Sequence, residues 1–117
     1  MQPILEDKAG LRFKKTGLPK SITVKLFKNR IEAIDNNGVL QFNVLLSTIN
    51  HASIQHALIG LYLNNDYISI DFTSMKRRMA FAAFGGLGAT IGYATDPATK
   101  TARSWVEEMQ KLGVLFR

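Results

Sequence analysis

Residues 22–49 read ITVKLFKNRIEAIDNNGVLQFNVLLSTI, and this stretch decides the fold class. Ile22, Val24 and Leu26 alternate with Thr23, Lys25 and Phe27. A repeat of two is the side-chain period of a strand with one buried face. Lys28-Asn29 supplies a tight turn, and Arg30 to Asp35 reads as a second strand. Asn36-Asn37-Gly38 comes next, and Asn and Gly tolerate the positive φ that hairpin turns demand. Leu40, Phe42, Val44 and Leu46 then alternate with Gln41, Asn43 and Leu45 as a third strand.

The pattern continues towards the C-terminus. A bend at Ser47-Thr48 leads to a short strand from Ile49 to Ile54, then a strand from Ala57 to Leu63. Asn64-Asn65-Asp66 turns the chain into Tyr67 to Phe72, where Ile68, Ile70 and Phe72 share one face. Five or six short strands joined by hairpins form an antiparallel meander, expected to close as a barrel or sandwich. The period then changes. Thr95 or Asp96 caps a helix, Pro97 suits its first turn, and Gly113 stops it. Ala98, Ala102, Trp105, Val106, Met109 and Leu112 form one apolar stripe at spacings of three and four. This helix is expected to plug the open side of the sheet, with Trp105 buried mainly for its area. The fold class is therefore mainly β with one C-terminal helix. Towards the N-terminus, residues 1–20 carry Gly10, Gly17 and Pro19 and no long period. They are expected to form a basic arm, with an extended piece at Leu11 to Lys14, ahead of a domain spanning 21–117.

The chain has 117 residues, enough for one domain with an ordinary core. It has no cysteine, which removes disulfides, thiolate metal sites and thiol nucleophiles. The start, Met1-Gln2-Pro3-Ile4-Leu5, lacks the basic and apolar regions of a secretory signal. The expectation is a cytoplasmic chain whose mature form begins at or near Met1, with the inner membrane face as a peripheral location.

Net charge is +6, unevenly spread. No acid stands between Asp7 and Glu32, while Lys8, Arg12, Lys14, Lys15, Lys20, Lys25, Lys28 and Arg30 are basic. Such a block either keeps the surface solvated or attracts a polyanion. Residues 79–95, MAFAAFGGLGATIGYAT, form an uncharged Gly-rich apolar segment behind Lys76-Arg77-Arg78. As a helix it would be about 25 Å long, at the lower limit for a bilayer crossing. Its glycines disfavour a helix in water, so the expectation is a strand from Met79 to Phe84 and a flexible turn. Phe81, Phe84, Leu87 and Ile91 are its candidate self-association residues.

Catalytic chemistry is not written in the residues. His51 and His56 are five apart in a strand region and are expected on opposite faces. No nucleophile elbow or metal-ligand spacing is present. Asp35, Asp66 and Asp71 read as ordinary acids at strand ends or turns. Gly85-Gly86-Leu87-Gly88 lacks the Lys-Ser or Lys-Thr of a phosphate loop. A non-enzyme without metal or cofactor is expected.

The order of elements resembles the pleckstrin-homology-like superfold. Residues 22–49 look like the opening strands of its bacterial and GRAM-like members, which run strand, basic turn, strand, Asn-Gly turn and strand into a Leu-Ser-x-Ile corner. Here that corner is Leu46-Ser47-Thr48-Ile49, and Ala102-Arg103-Ser104-Trp105-Val106-Glu107 is similar to the family's closing helix. The resemblance covers residues 21–113 and implies a non-catalytic scaffold that binds a lipid headgroup, a peptide or a protein. Lys25 and Lys28-Asn29-Arg30 match the spelling of the phosphoinositide-binding members. The short first turn and the inserted Gly-rich segment depart from the pattern.

Three function classes follow. The first is a binding or adaptor module that contacts an acidic membrane surface or a protein partner through Lys14, Lys15, Lys25, Lys28 and Arg30. The second is an assembly protein, a homo-oligomer joined through the Gly-rich segment. The third is a nucleic-acid binder using the basic N-terminal half, with Phe13 and Phe27 as stacking platforms.

Overall fold

A computed structural model describes residues 2–13, 18–73 and 97–117. The Gly-rich segment 79–95 with Phe81, Phe84, Leu87 and Ile91 lies outside the described residues. So do Lys14, Lys15, Lys76-Arg77-Arg78 and the Thr95 or Asp96 cap.

The described chain runs β1 (Leu5–Arg12), β2 (Lys20–Leu26), β3 (Arg30–Asp35), β4 (Leu40–Leu45), a 3-10 turn (Leu46–Thr48), β5 (His51–Gln55), β6 (Leu58–Tyr62), β7 (Tyr67–Asp71) and α1 (Pro97–Lys111). The strands form one seven-stranded antiparallel sheet in the order β4-β3-β2-β1-β7-β6-β5. The sheet is not closed, because β4 and β5 remain its two edges.

Expectation and structure differ most at the N-terminus. Residues 5–12 are no arm; they form the central strand. β1 pairs with β2 from Leu5↔Leu26 to Leu11↔Lys20. It joins β7 over three pairs only, Gly10↔Asp71 to Arg12↔Ser69. The apolar alternation of β1 is masked, because Asp7 and Ala9 hold positions in register with the buried Val24 and Ile22. Gly10 is needed here, since a Cβ would lie 2.7 Å from Pro19 Cβ.

One core joins both halves of the sheet to the helix. Ile22, Val24 and Leu26 of β2, Ile31 and Ala33 of β3, Ile59 and Leu61 of β6, and Ile68 and Ile70 of β7 are buried in it. Ala102, Trp105 and Met109 enter it from α1, with Ala98, Val106 and Leu112 packed at its margin. Burying a side chain of this size contributes about 1.5–3 kcal/mol. Trp105 does more than fill space. Its ring is fully buried, lies 5.6 Å from Phe72, and its Nε1–H donates to Asp7 Oδ2 at 2.7 Å. Just past the end of α1 stands Gly113, whose φ of 96° is the left-handed conformation glycine favours. The chain then turns back along β5. Ala52 N–H donates to Leu115 O at 2.7 Å and Arg117 N–H to Ala52 O at 2.8 Å, with Val114 buried.

The β3–β4 turn is built on Asp35. Its Oδ1 accepts the N–H groups of Asn37 and Val39, both at 2.9 Å, and Gln41 Nε2 donates to Oδ2 at 3.1 Å. Gly38 takes a φ of 80°. The pairing shifts by one residue, from Ala33↔Phe42 to Ile34↔Leu40, which leaves Gln41 as a bulge.

Candidate functional site

Among the described residues, four members of the basic block have an acid beside them. Lys25 Nζ lies 4.0 Å from Glu6, Lys20 Nζ 3.6 Å from Asp35, and Arg12 Nη2 4.0 Å from Asp71. Arg30 Nε donates to Glu32 Oε1 at 2.9 Å, and its guanidinium sits 4.1 Å over the Phe27 ring. Glu6, Lys25 and Glu32 stand side by side on three neighbouring strands. Of the candidate contact residues around the β2–β3 turn, Lys25, Lys28 and Arg30, the described residues place an acid beside Lys25 and Arg30 but none beside Lys28. Phe27 is buried beneath Arg30, whereas Phe13 is exposed.

The electrostatics of Asp35 follow from its bonds. The Val39 amide, with Asn37 and Lys20 adding to it, holds the carboxyl below its ordinary value of 3.8 despite partial desolvation. Asp71, read from sequence as an ordinary turn acid, is buried beside Arg12 and accepts Thr73 N–H at 2.9 Å. Its alternation with Ile68 and Ile70 mimics a solvated face. His51 stacks on Tyr62 at 4.4 Å, and Tyr62 tilts against Tyr67 at 4.9 Å, a cross-strand aromatic row. His56 sits in the β5–β6 turn with a φ of 55°. Among the described residues, no three His, Asp or Glu side chains gather as a metal site.

The uncovered surface lies elsewhere. The two sheet edges differ. Residues 115–117 bridge β5 at Ala52. Among the described residues no strand pairs with the outer side of β4, whose last carbonyl, that of Leu45, accepts the Thr48 hydroxyl. Val39, Leu40 and Leu45, at or within its ends, are 55%, 53% and 50% exposed. Between them β4 carries no charge and no proline, the devices that usually protect an edge. At its C-terminal end an open cleft of about 440 Å³ is lined by Lys28, Asn29, Leu45, Leu46, Ser47, Leu112 and Gly113. Lys28, which no described acid meets, therefore borders the apolar C-terminal end of β4.

No family model matches the chain, and no curated protein matches it. No helix among the described residues is long and apolar enough to cross a membrane.

Proposed function

We propose that the chain is a non-catalytic binding module on a pleckstrin-homology-like scaffold, and that its partner is a protein. The scaffold reading is supported by the antiparallel meander, the Trp105-centred closing helix and the Leu46-Ser47-Thr48-Ile49 corner. The choice of partner rests on one observation. Among the described residues, the C-terminal residues bridge the β5 edge at Ala52 while no strand pairs with the outer side of β4, and Val39, Leu40 and Leu45 are exposed along it. An acidic membrane is disfavoured by the ion pairs that occupy Lys25 and Arg30. Of Lys25, Lys28 and Arg30, only Lys28 has no described acid beside it, and one lysine supplies about 1 kcal/mol at an anionic surface.

The test has two arms. Flotation with phosphatidylserine and with phosphatidylcholine vesicles at low and high salt is expected to leave the protein unbound in both. A displayed random-peptide library is expected to yield binders to the immobilised wild type that do not bind a Leu40→Lys, Leu45→Lys variant. Salt-sensitive capture by the acidic vesicles alone, lost in Lys28→Glu, would replace the protein-partner reading with a lipid one.

A further inference from the structure

We infer that β4 accepts an extended peptide as an added antiparallel strand, and that the peptide carries an acidic side chain at its N-terminal end and apolar side chains behind it. This rests on the protein-partner reading and names the mode and chemistry of binding. The first observation is the direction of the free hydrogen-bonding groups. Leu46 N–H donates to Asn29 O at 2.9 Å, across the β3 side of the ladder. Groups in an antiparallel ladder alternate between the two sides of a strand. Val44 and Phe42 therefore spend their amides on β3, while the N–H and C=O of Asn43 and the N–H of Leu45 point away from the sheet. The Leu45 carbonyl agrees with this phase. It points outward and accepts the Thr48 hydroxyl at 2.6 Å, which ends the available edge at Leu45.

The second observation is charge and polarity along that edge. Lys28 borders the cleft at the C-terminal end of β4, and no described acid pairs with it. Leu45 and Leu112 provide apolar walls there, and Leu40 and Val39 provide apolar surface at the other end. An antiparallel strand begins where β4 ends, so its N-terminal residues lie over the cleft. A carboxylate there meets Lys28, and the following side chains cover the leucines. Main-chain bonds then supply affinity and alternate side chains supply selectivity. A second copy of this chain fits less well. The uncharged Leu40–Leu45 strand brings no acid to Lys28.

The probes are acetyl-ELTVTL-amide and acetyl-KLTVTL-amide, titrated into the full chain and followed by amide NMR shifts. The acidic peptide is expected to shift Asn43, Leu45 and Lys28 amides and to bind about threefold tighter than the lysine peptide, the range of one exposed ion pair. Lys28→Gln is expected to erase that difference. Two further peptides carry N-methyl groups on alternate amides. One phase is expected to abolish binding and the other to keep it. In Asn43→Pro the outward N–H is lost while the β3 bonds stay, and the acidic peptide is expected to lose at least tenfold. Binding that survives both N-methyl phases, shifts that map away from β4, or no binding at millimolar peptide would overturn strand addition. Library binders that map to another surface would leave the module reading standing and remove only this mode. Concentration-dependent dimerisation lost in Asn43→Pro would assign the edge to a second copy instead.

Discussion

Trp105 and Asp7 offer the sharpest test of how the helix is held to the sheet. The indole is fully buried and its Nε1–H donates to Asp7 Oδ2 at 2.7 Å, a charge-assisted length. Such a bond contributes about 1.5–3 kcal/mol. Trp105→Phe keeps most of the ring but loses the donor and opens a small cavity, for a total of about 3 kcal/mol. Asp7→Ala strands the indole N–H in the core and costs about 2 kcal/mol. In the double variant neither partner is left behind, so the loss is less than the sum by about 1.5 kcal/mol. Urea unfolding measures this. The chain has one tryptophan, so far-UV circular dichroism is the common probe for all four proteins. With an m value of about 1.5 kcal/mol/M, the coupling appears as a midpoint about 1 M higher than additivity allows. Single effects that add within about 0.5 kcal/mol would refute the bond as an energetic link and leave Trp105 as buried area alone.

Other variants probe separate joints. Trp105→Ala is expected to cost about 3–5 kcal/mol, enough to unfold much of a marginally stable domain in thermal melts. Gly10→Ala drives a methyl group against the rigid Pro19 ring; thermal denaturation is expected to show a loss of about 1–3 kcal/mol, partly restored by Pro19→Gly. Deleting residues 114–117 removes the buried Val114 and two hydrogen bonds to Ala52, an expected loss of about 3 kcal/mol in urea titration. Asp35 has a lowered native pKa, so its stabilisation is complete above the unfolded value of 3.8 and lost as pH falls through the native value. Asp35→Asn is therefore expected to flatten the acid limb of stability below that pH, and an unchanged limb would exclude Asp35 as its source.

The legible parts of the fold were those whose period is set locally. β2, β3 and β4 alternate cleanly because their inward row is Ile22, Val24, Leu26, Ile31, Ala33 and Phe42. β1 did not announce itself, since an inward aspartate is acceptable only when a donor from α1 meets it, 98 residues away in sequence. Periodicity has no access to that partner. The candidate surface shows the same division. Lys25, Lys28 and Arg30 are adjacent in sequence, but the neutralising Glu6 arrives through strand pairing. The open β4 edge was invisible for a related reason: which strand ends a sheet is a property of topology. Once the order is known, the exposed Leu45 follows from alternation with the inward Phe42 and Val44, and the exposed Leu40 from the bulge at Gln41.

The narrow seam between β1 and β7 also bears on how the chain reaches this state. β2 to β4 and β5 to β7 each form through neighbouring hairpins, fast local steps. The seam pairs Gly10 with Asp71 and Arg12 with Ser69, contacts of high sequence separation whose closure entropy must be met before they contribute. β1 leaves the ribosome first among the strands, whereas β7 and then α1, with Trp105, leave last. During synthesis the first meander can assemble while its apolar inner face waits for a cover. Docking of the later half is then expected to limit the rate, so substitutions at Leu11 or Ile70 are expected to slow refolding more than those in the β3–β4 hairpin.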